Sequence, residues 1–163
     1  MDPTKLSRME RPEYDALIEG GYICRIAFKG ENYPYIAPFL YVFDGRCMYF
    51  LFTKYGRKVK HFEQDPHVAV EVEVYSPDLS YFAFVVIPGR LVEVEDLEVK
   101  RAVRQMFMEL IRKRNLSSHV LSALGYPPGE PVEALLIEER NSIWKLVGVN
   151  IEEITGLKSP DKE

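Results

Sequence analysis

Two adjacent apolar runs joined by a tight turn limit what this chain can fold into more than any other feature. In YPYIAPFLYVF, residues 33–43, alternate side chains point to opposite sides, with Phe39 and Tyr41 on one side and Leu40 and Val42 on the other. Asp44–Gly45 is a hairpin turn signal, and the strand-like run RCMYFLFT follows it. The pattern predicts an antiparallel pair. Pro34 and Pro38 predict an edge, a bulge or a place where something else meets the strand, because proline donates no ladder hydrogen bond.

Further strands are predicted at YICRIAFKG, at HVAVEVEVY and at YFAFVVIPGRLVEVE, where Pro88–Gly89 predicts a bulge at a barrel corner. EALLIEERNSIWKLVGVNIEEITG is read as a hairpin that turns near residues 139–142. These strands are joined mostly by short turns, without the crossover helices that parallel strands require. The sequence therefore predicts a mainly β fold with peripheral helices, an antiparallel barrel of six or seven strands.

Two helices are predicted from periodicity and capping signals. SRMERPEYDALIEGG has a capping-box pattern at Ser7 and Glu10 and ends at Gly20–Gly21. Residues 96–114 carry an apolar stripe, and Glu98, Lys100, Arg101 and Arg104 are expected to face solvent. GRKVKHFEQ, residues 56–64, predicts a short helix that ends before Pro66.

Length and composition predict one soluble globular domain over residues 1–163, with flexible ends at 1–8 and 159–163. The chain has 163 residues, of which 47% are hydrophobic and 28% are charged. A net charge of −4 makes a nucleic-acid partner a poor expectation. Cys24 and Cys47 lack metal or redox spacing and suit a reducing compartment. With no signal peptide or membrane span in the sequence, we expect a cytoplasmic protein that does not associate with membranes.

Motifs for nucleotide binding, hydrolysis or zinc chemistry do not occur in this sequence, and no catalytic residue can be assigned. His61, Glu63, Asp65 and His67 are close in sequence. However, the first two lie on different faces of a helical turn, and Pro66 separates them from His67. No metal site is predicted.

The strand-to-helix junction TKYGRK, residues 53–58, is the strongest candidate for a binding site. Thr53 offers a hydroxyl group, and Gly56 allows close approach of the backbone. Arg57 and Lys58 fall in a first helical turn, where cations oppose the helix dipole but suit a bound phosphate. The alternative is an exposed helix whose cations pair with glutamates.

Flat apolar surface is expected beside this junction from Phe39, Tyr41, Phe50 and Phe52. Residues 36–38 would offer backbone groups, with Pro38 interrupting the ladder. A heteroaromatic ring with a phosphate tail would fit such a surface. The aromatic residues could equally be barrel core.

The order of these segments resembles the flavin-binding split-barrel proteins, the superfamily of pyridoxamine 5′-phosphate oxidase, and is most similar to its nitroimidazole-resistance-like branch. The resemblance covers residues 9–158. Its most specific part is the pattern T-x-x-G-R-K-V-x-x-x-x-x-x-P-x-V that begins at Thr53, and the ITGLK ending supports it.

The resemblance implies a six-stranded split barrel that forms a homodimer and holds FMN between the subunits. By similarity, the phosphate would be held by Thr53, Arg57 and Lys58, with Gly56 between them. The flavin ring and ribityl chain would lie along Ile36, Ala37, Pro38, Phe39 and Tyr41, with Phe52 next to Thr53. The partner subunit would close the other side through the strand around Phe84–Val86 or through Trp144.

Two departures from the family pattern bear on activity. Nitroimidazole-resistance relatives carry a His at the position of Leu51, and pyridoxamine phosphate oxidases carry a Lys at the position of Tyr41 and a C-terminal segment that differs from ITGLKSPDKE. These departures argue against nitro-group reduction and vitamin B6 synthesis. The resemblance implies an FMN-dependent oxidoreductase acting on an unidentified small molecule. The alternatives are a non-catalytic protein that binds or stores flavin, haem or a deazaflavin, and a structural dimer without a cofactor. A haem would need His61, His67 or His119 as its axial ligand.

Overall fold

The computed structural model describes residues 1–54, 64–137, 140–148 and 153–160. Its strands are β1 Ser7–Arg8, β2 Ile23–Phe28, β3 Tyr35–Phe43, β4 Met48–Thr53, β5 His67–Tyr75, β6 Phe82–Glu93, β7 Asn141–Val147 and β8 Thr155–Lys158. Its helices are α1 Arg11–Gly20, α2 Leu97–Lys113, α3 His119–Ala123 and α4 Ala134–Ile137. The predicted helix over residues 56–64 lies outside the described residues except for Gln64.

Six of the strands close into an antiparallel barrel. They follow the order β6-β5-β2-β3-β4-β7, and β7 pairs again with β6 through Arg90–Glu93 to complete the circle. β8 adds to β6 outside this circle, and β1 adds to β8. The prediction of a mainly β, six-stranded antiparallel barrel is confirmed.

The bulge expected at Pro88–Gly89 is wrong, although the corner that it was meant to explain lies there. β5 and β6 pair one residue to one residue without interruption, from His67 opposite Arg90 to Tyr75 opposite Phe82. What changes is the other neighbour of β6, which is β8 along residues 83–86 and β7 along residues 90–93. β6 therefore turns the corner by changing its partner strand, without inserting a residue.

The strands contribute side chains to two apolar clusters, one on each side of the barrel wall. The first fills the barrel, and α1 adds Tyr14 and Ile18 to it. The second lies between the outer side of the barrel and a helical layer made of α2, α3 and α4. Tyr41 belongs to the first cluster and Val42 to the second, so the predicted alternation along β3 is confirmed.

Several predicted boundaries differ from the structure. α1 is capped by Glu10 and not by Ser7, because Glu10 and Glu13 form the capping box and Pro12 lies in the first turn. Ser7 instead pairs with Lys158 in β1 and β8. At the other end Ser159 is buried and its backbone N–H donates to the Phe82 carbonyl at 2.8 Å.

The hairpin predicted around residues 139–142 is also wrong. Residues 134–137 form α4, and β7 begins at Asn141 and pairs with β4 and β6. Ala134 and Leu135 are strong helix formers, and both are buried against the helical layer. Of the described helices, none combines the length and the apolar character that crossing a bilayer requires.

Candidate functional site

β3 and β4 part from each other in the middle of the barrel wall. Their pairing covers Tyr41–Phe43 and Met48–Phe50. Beyond it, residues 35–40 of β3 run beside β2, while residues 51–53 of β4 run beside β7. We call the place between residues 35–40 and residues 51–53 the split.

The structure brings most of the predicted site residues to this split. Ile36, Ala37, Pro38 and Phe39 lie on its β3 side, and Phe52 and Thr53 lie on its β4 side. Gly56, Arg57 and Lys58 lie outside the described residues. Residues 36–39 and residues 52–53 are 13 to 17 positions apart in the sequence, and they lie on the two sides of the split because β3 and β4 form a hairpin.

The aromatic side chains behind the split form its inner wall. The rings of Phe39 and Phe52 meet edge to face with centroids 5.1 Å apart, and Phe50 stacks on Phe52 at 5.9 Å. Phe50 and Phe52 are fully buried. A ligand outside the barrel could therefore contact Phe52 only through the Phe52 backbone.

Tyr41 is likewise directed into the barrel. Its side chain is 1% exposed, and its hydroxyl group donates to the Ile18 carbonyl at 2.5 Å. Burial raises the pKa of the Tyr41 phenol above its usual range. The phenol is therefore a neutral hydrogen-bond donor that ties α1 to β3.

Exposure along the outer side of β3 rises toward the split. Val42 is buried and Leu40 is half-buried under the helical layer, whereas Pro38 is exposed and Ile36 is 61% exposed. Ile36 and Pro38 lie opposite Ala27 and Arg25 of β2. An apolar edge thus borders the split on its outer side.

Thr53 closes the β4 side of the split. It is 8% exposed, and it lies opposite Asn141 in the last pair of β4 and β7. A Cβ on Gly125 would lie 3.7 Å from the Thr53 Cγ2, so the turn after α3 packs on Thr53. Thr53, the first of the predicted phosphate-binding residues, is therefore packed from two sides.

Arg104 was expected to face solvent, and this prediction is wrong. It is 5% exposed because it lies three and four residues before Phe107 and Met108 on the buried stripe of α2. Its Nη1 donates to the Leu135 carbonyl at 3.2 Å and to the Asn141 Oδ1 at 3.0 Å, and its Nη2 donates to the Asn141 carbonyl at 3.1 Å. The Asn141 Nδ2 then donates to the Leu124 carbonyl at 2.8 Å.

Sequence reasoning missed Arg104 and Asn141 as parts of this site. The spacing of Arg104, Phe107 and Ile111 could have revealed a cation within the apolar stripe. Asn141 carried no such signal, because it was placed in the turn of a hairpin, whereas it begins β7.

Leu51 occupies the position where nitroimidazole-resistance relatives are expected to carry a His. It is 4% exposed and belongs to the cluster beneath the helical layer, together with Phe107 and Ile143. An apolar side chain suits these surroundings, since a polar group there would need a buried partner.

A second feature of the surface is the outer face of β2, β3, β5 and β6, which we call the exposed face. Cross-strand pairing places these residues on it: Ile23, Arg25, Ala27, Ile36, Pro38, Glu71, Glu73, Phe84 and Val86. Arg25 forms ion pairs with Glu73 and with Glu71, whose Oε1 lies 3.6 Å from the Arg25 Nη1. Ile23 is 53% exposed beside these charges.

Asp65 is a titratable group that lies two residues before the start of β5. Hydrogen bonds from the backbone and ring of His67 and from Lys29 lower the pKa of Asp65 to about 2. Within the described part of the chain, no three His, Cys, Asp or Glu side chains are grouped as metal ligands would be. His61 and Glu63, which the sequence placed near them, lie outside that part.

Comparison with known proteins identifies what this barrel is similar to. Residues 10–130 match the sequence model of the family described as pyridoxamine 5′-phosphate oxidase. A FAD-binding protein from Mesorhizobium loti has a similar structure, with a TM-score of 0.63, 15% identity, and 96% of this chain and 100% of that chain covered. A candidate 5-nitroimidazole antibiotic resistance protein from Bacteroides thetaiotaomicron gives a TM-score of 0.60 and 13% identity, with 99% and 98% covered.

Among curated proteins, an uncharacterized protein of Rhizobium meliloti (strain 1021) is 27% identical over 86 residues. The matched region covers 53% of this chain and 56% of that protein. The chain therefore spans little more than half the length of this relative.

Proposed function

Since the chain belongs to the pyridoxamine 5′-phosphate oxidase family, we propose that it binds FMN and is an FMN-dependent oxidoreductase acting on a small molecule. The observation that carries the proposal is the split, where the β3 and β4 segments expected to contact the cofactor border the same opening. When bound, the flavin supplies the hydride or electron transfer, and the chain supplies position and electrostatics.

The phosphate of FMN would bind at residues 53–58, which begin at the end of β4. Thr53 would contribute at the end of the strand, with Gly56, Arg57 and Lys58 after it in the sequence. The packing of Thr53 between Asn141 and the Gly125 turn supports this assignment, because it holds the strand end from which these residues continue. Lys54 is exposed next to Thr53 and adds a further positive charge.

The ring and ribityl chain would lie along Ile36 to Tyr41 on the outer side of the split. Ile36 and Pro38 offer exposed apolar surface there, and Ala37 and Phe39 are half-buried. The contribution of Tyr41 and Phe52 would come from their backbones, since both side chains face the barrel core. FAD is the second candidate cofactor, because the similar Mesorhizobium loti protein is named as FAD-binding.

A second copy of the chain would cover the exposed face and complete the site. Ile23 and Ile36 are 53% and 61% exposed on this face, and a partner that covered it would remove this apolar surface from water. Ile36 also borders the split, so a partner that covers the face would enclose a bound flavin. The partner's strand around Phe84–Val86, or Trp144, would provide the contact.

Substitution of both expected phosphate ligands tests the cofactor assignment. Arg57→Ala with Lys58→Ala should raise the Kd for FMN at least about 100-fold, because each charge-assisted hydrogen bond contributes roughly 1.5–3 kcal/mol. Fluorescence titration of the apoprotein with FMN measures this. The matched control is Lys100→Ala with Arg101→Ala on α2, which removes the same charge and should change the Kd less than about threefold.

The thermal unfolding midpoint of both double variants should stay close to that of the unsubstituted protein. A folded Arg57→Ala, Lys58→Ala protein with unchanged FMN affinity would show that the phosphate binds elsewhere.

A further inference from the structure

We infer that a cavity at the turn end of the β3–β4 hairpin is a binding site for a small organic anion with an apolar body, such as an aromatic carboxylate. The paired residues Tyr41–Phe43 and Met48–Phe50 separate this end of the hairpin from the split. None of the described residues that line the cavity belongs to the split. The site is therefore additional to the proposed cofactor site and does not depend on it.

The cavity is large enough for a ring compound and has an apolar lining. Its volume is about 340 Å³, which lies in the range of small-molecule sites. One face of α1 lines it, together with residues of the β3–β4 hairpin, β6 and β7. Transfer of an apolar ligand body from water to this lining is favourable. The apolar lining residues include members of the barrel cluster and residues packed against it, namely Tyr14, Ile18, Phe43, Met48, Ile87 and Leu146.

The charged residues around the cavity are mostly positive, although the whole chain has a net charge of −4. Arg11, Arg46 and Lys145 line the cavity, and Asp15 is the one carboxylate among the described lining residues. Asp15 already has a partner, since the Arg11 Nε lies 3.6 Å from its Oδ2. In the part of the chain that the structure describes, neither Arg46 nor Lys145 forms an ion pair. The lining therefore favours a negatively charged ligand.

The turn that carries Arg46 shows why the charge of this residue is not cancelled by its neighbour Asp44. The Asp44 Oδ1 accepts the backbone N–H groups of Arg46 at 2.8 Å and of Cys47 at 2.7 Å, and its Oδ2 accepts the Tyr49 hydroxyl at 3.2 Å. The carboxylate thus closes the turn and holds the Arg46 backbone in place. The Arg46 guanidinium group can instead bind a ligand carboxylate through two parallel hydrogen bonds.

Cys47 provides a reporter inside this site. It lines the cavity and is half-buried. The other thiol, that of Cys24, is 2% exposed, and burial raises its pKa. Iodoacetamide, from which a thiolate displaces iodide to form a thioether, should therefore alkylate Cys47 first. A ligand that fills the cavity should slow this reaction, and mass spectrometry of the modified peptide measures its rate.

The test compares 2-naphthoate with 2-naphthamide, which share the ring system and differ in the charge of the head group. The purified protein is used with whatever cofactor it carries. We expect 2-naphthoate to slow alkylation of Cys47 in a saturable manner. Half-protection should need about fivefold more 2-naphthamide, because a partly exposed ion pair contributes an affinity difference of this order. Saturating FMN should leave the protection by 2-naphthoate unchanged.

Substitution of the unpaired cations assigns the effect to this cavity. Arg46→Gln should raise the half-protection concentration of 2-naphthoate about fivefold and leave that of 2-naphthamide unchanged. Arg46→Gln combined with Lys145→Gln should remove the preference for the anion. The matched control is Arg101→Gln, which removes an exposed cation of α2 that does not line the cavity and should change neither value.

Arg46 is exposed in a turn, so its replacement should not impair folding, and circular dichroism checks this. Failure of 2-naphthoate to protect Cys47 would contradict the inference. Equal protection by the two compounds, or an anion preference that survives in the folded double variant, would also contradict it. Loss of protection in the presence of FMN would place the ligand in the split and overturn the separate site. Absence of flavin binding would overturn the proposed function and leave this inference standing.

Discussion

Glu71 is a carboxyl group whose ionisation the fold disfavours. Its Oε1 is buried and accepts no hydrogen bond in the described part of the chain, although Arg25 lies 3.6 Å away. Burial raises the pKa of Glu71, and the neighbouring Glu73 raises it further, while Arg25 opposes both. The carboxyl group is therefore more easily protonated in the folded chain than in the unfolded one.

The sign of the pH effect follows from this direction. A carboxyl group with a raised pKa stabilises the fold most when it is protonated, below its ordinary pKa of 4.5, and this contribution is lost as the pH rises through the raised value. Glu71→Gln should therefore raise the free energy of unfolding at pH 7 by up to about 1 kcal/mol, and the gain should shrink below pH 4.5.

Urea unfolding at several pH values measures this difference. The control is Glu73→Gln, which loses the ion pair with Arg25 and should not stabilise the protein. A Glu71→Gln variant that is less stable at pH 7 would show that attraction to Arg25 outweighs burial.

At the scale of elements, β6 carries the closure of the barrel. Around Gly89 the strand that pairs with β6 changes from β8 to β7, and β7 lies close to β6 there. A Cβ on Gly89 would lie 2.7 Å from the Leu146 Cδ1 and 2.9 Å from the Val147 carbonyl oxygen. Only glycine lets these two strands approach so closely.

Gly89→Ala should therefore weaken the closure between β6 and β7 and lower the free energy of unfolding by about 1–3 kcal/mol. Denaturant titration followed by tryptophan fluorescence measures it, since Trp144 lies in the paired segment of β7. Gly20→Ala is the matched control, because a Cβ there meets no atom within 4 Å. Equal stability of the two variants would show that the strands separate without cost.

Some features of the strands and helices were predictable from the sequence, and others were not. Alternation in β3 and β4 correctly separated barrel-facing from outward-facing side chains, because that period is set by the backbone. The corner in β6 was located by Pro88–Gly89, but its mechanism depends on which strands are neighbours. Arg104 was misplaced because residue type was weighed above helical position, and only the structure shows its partner Asn141.

At the scale of the whole molecule, two unlike outer sides meet at the split. The helical layer covers the outer side of β4, β7 and the end of β3, where Val42, Leu51 and Ile143 are buried. The exposed face begins on the same strand at Pro38 and Ile36. In the proposed dimer, a ligand in the split would thus lie against the barrel strands on one side and against the second subunit on the other.

The absorbance spectrum of the purified protein, recorded across its size-exclusion peak with light scattering, tests this view most directly. We predict flavin bands, with about one FMN released per chain, in a peak of about twice the 18.9 kDa chain mass. FAD in place of FMN would correct the cofactor but keep the site. A haem spectrum, or no chromophore even after incubation with FMN, would contradict the proposed function.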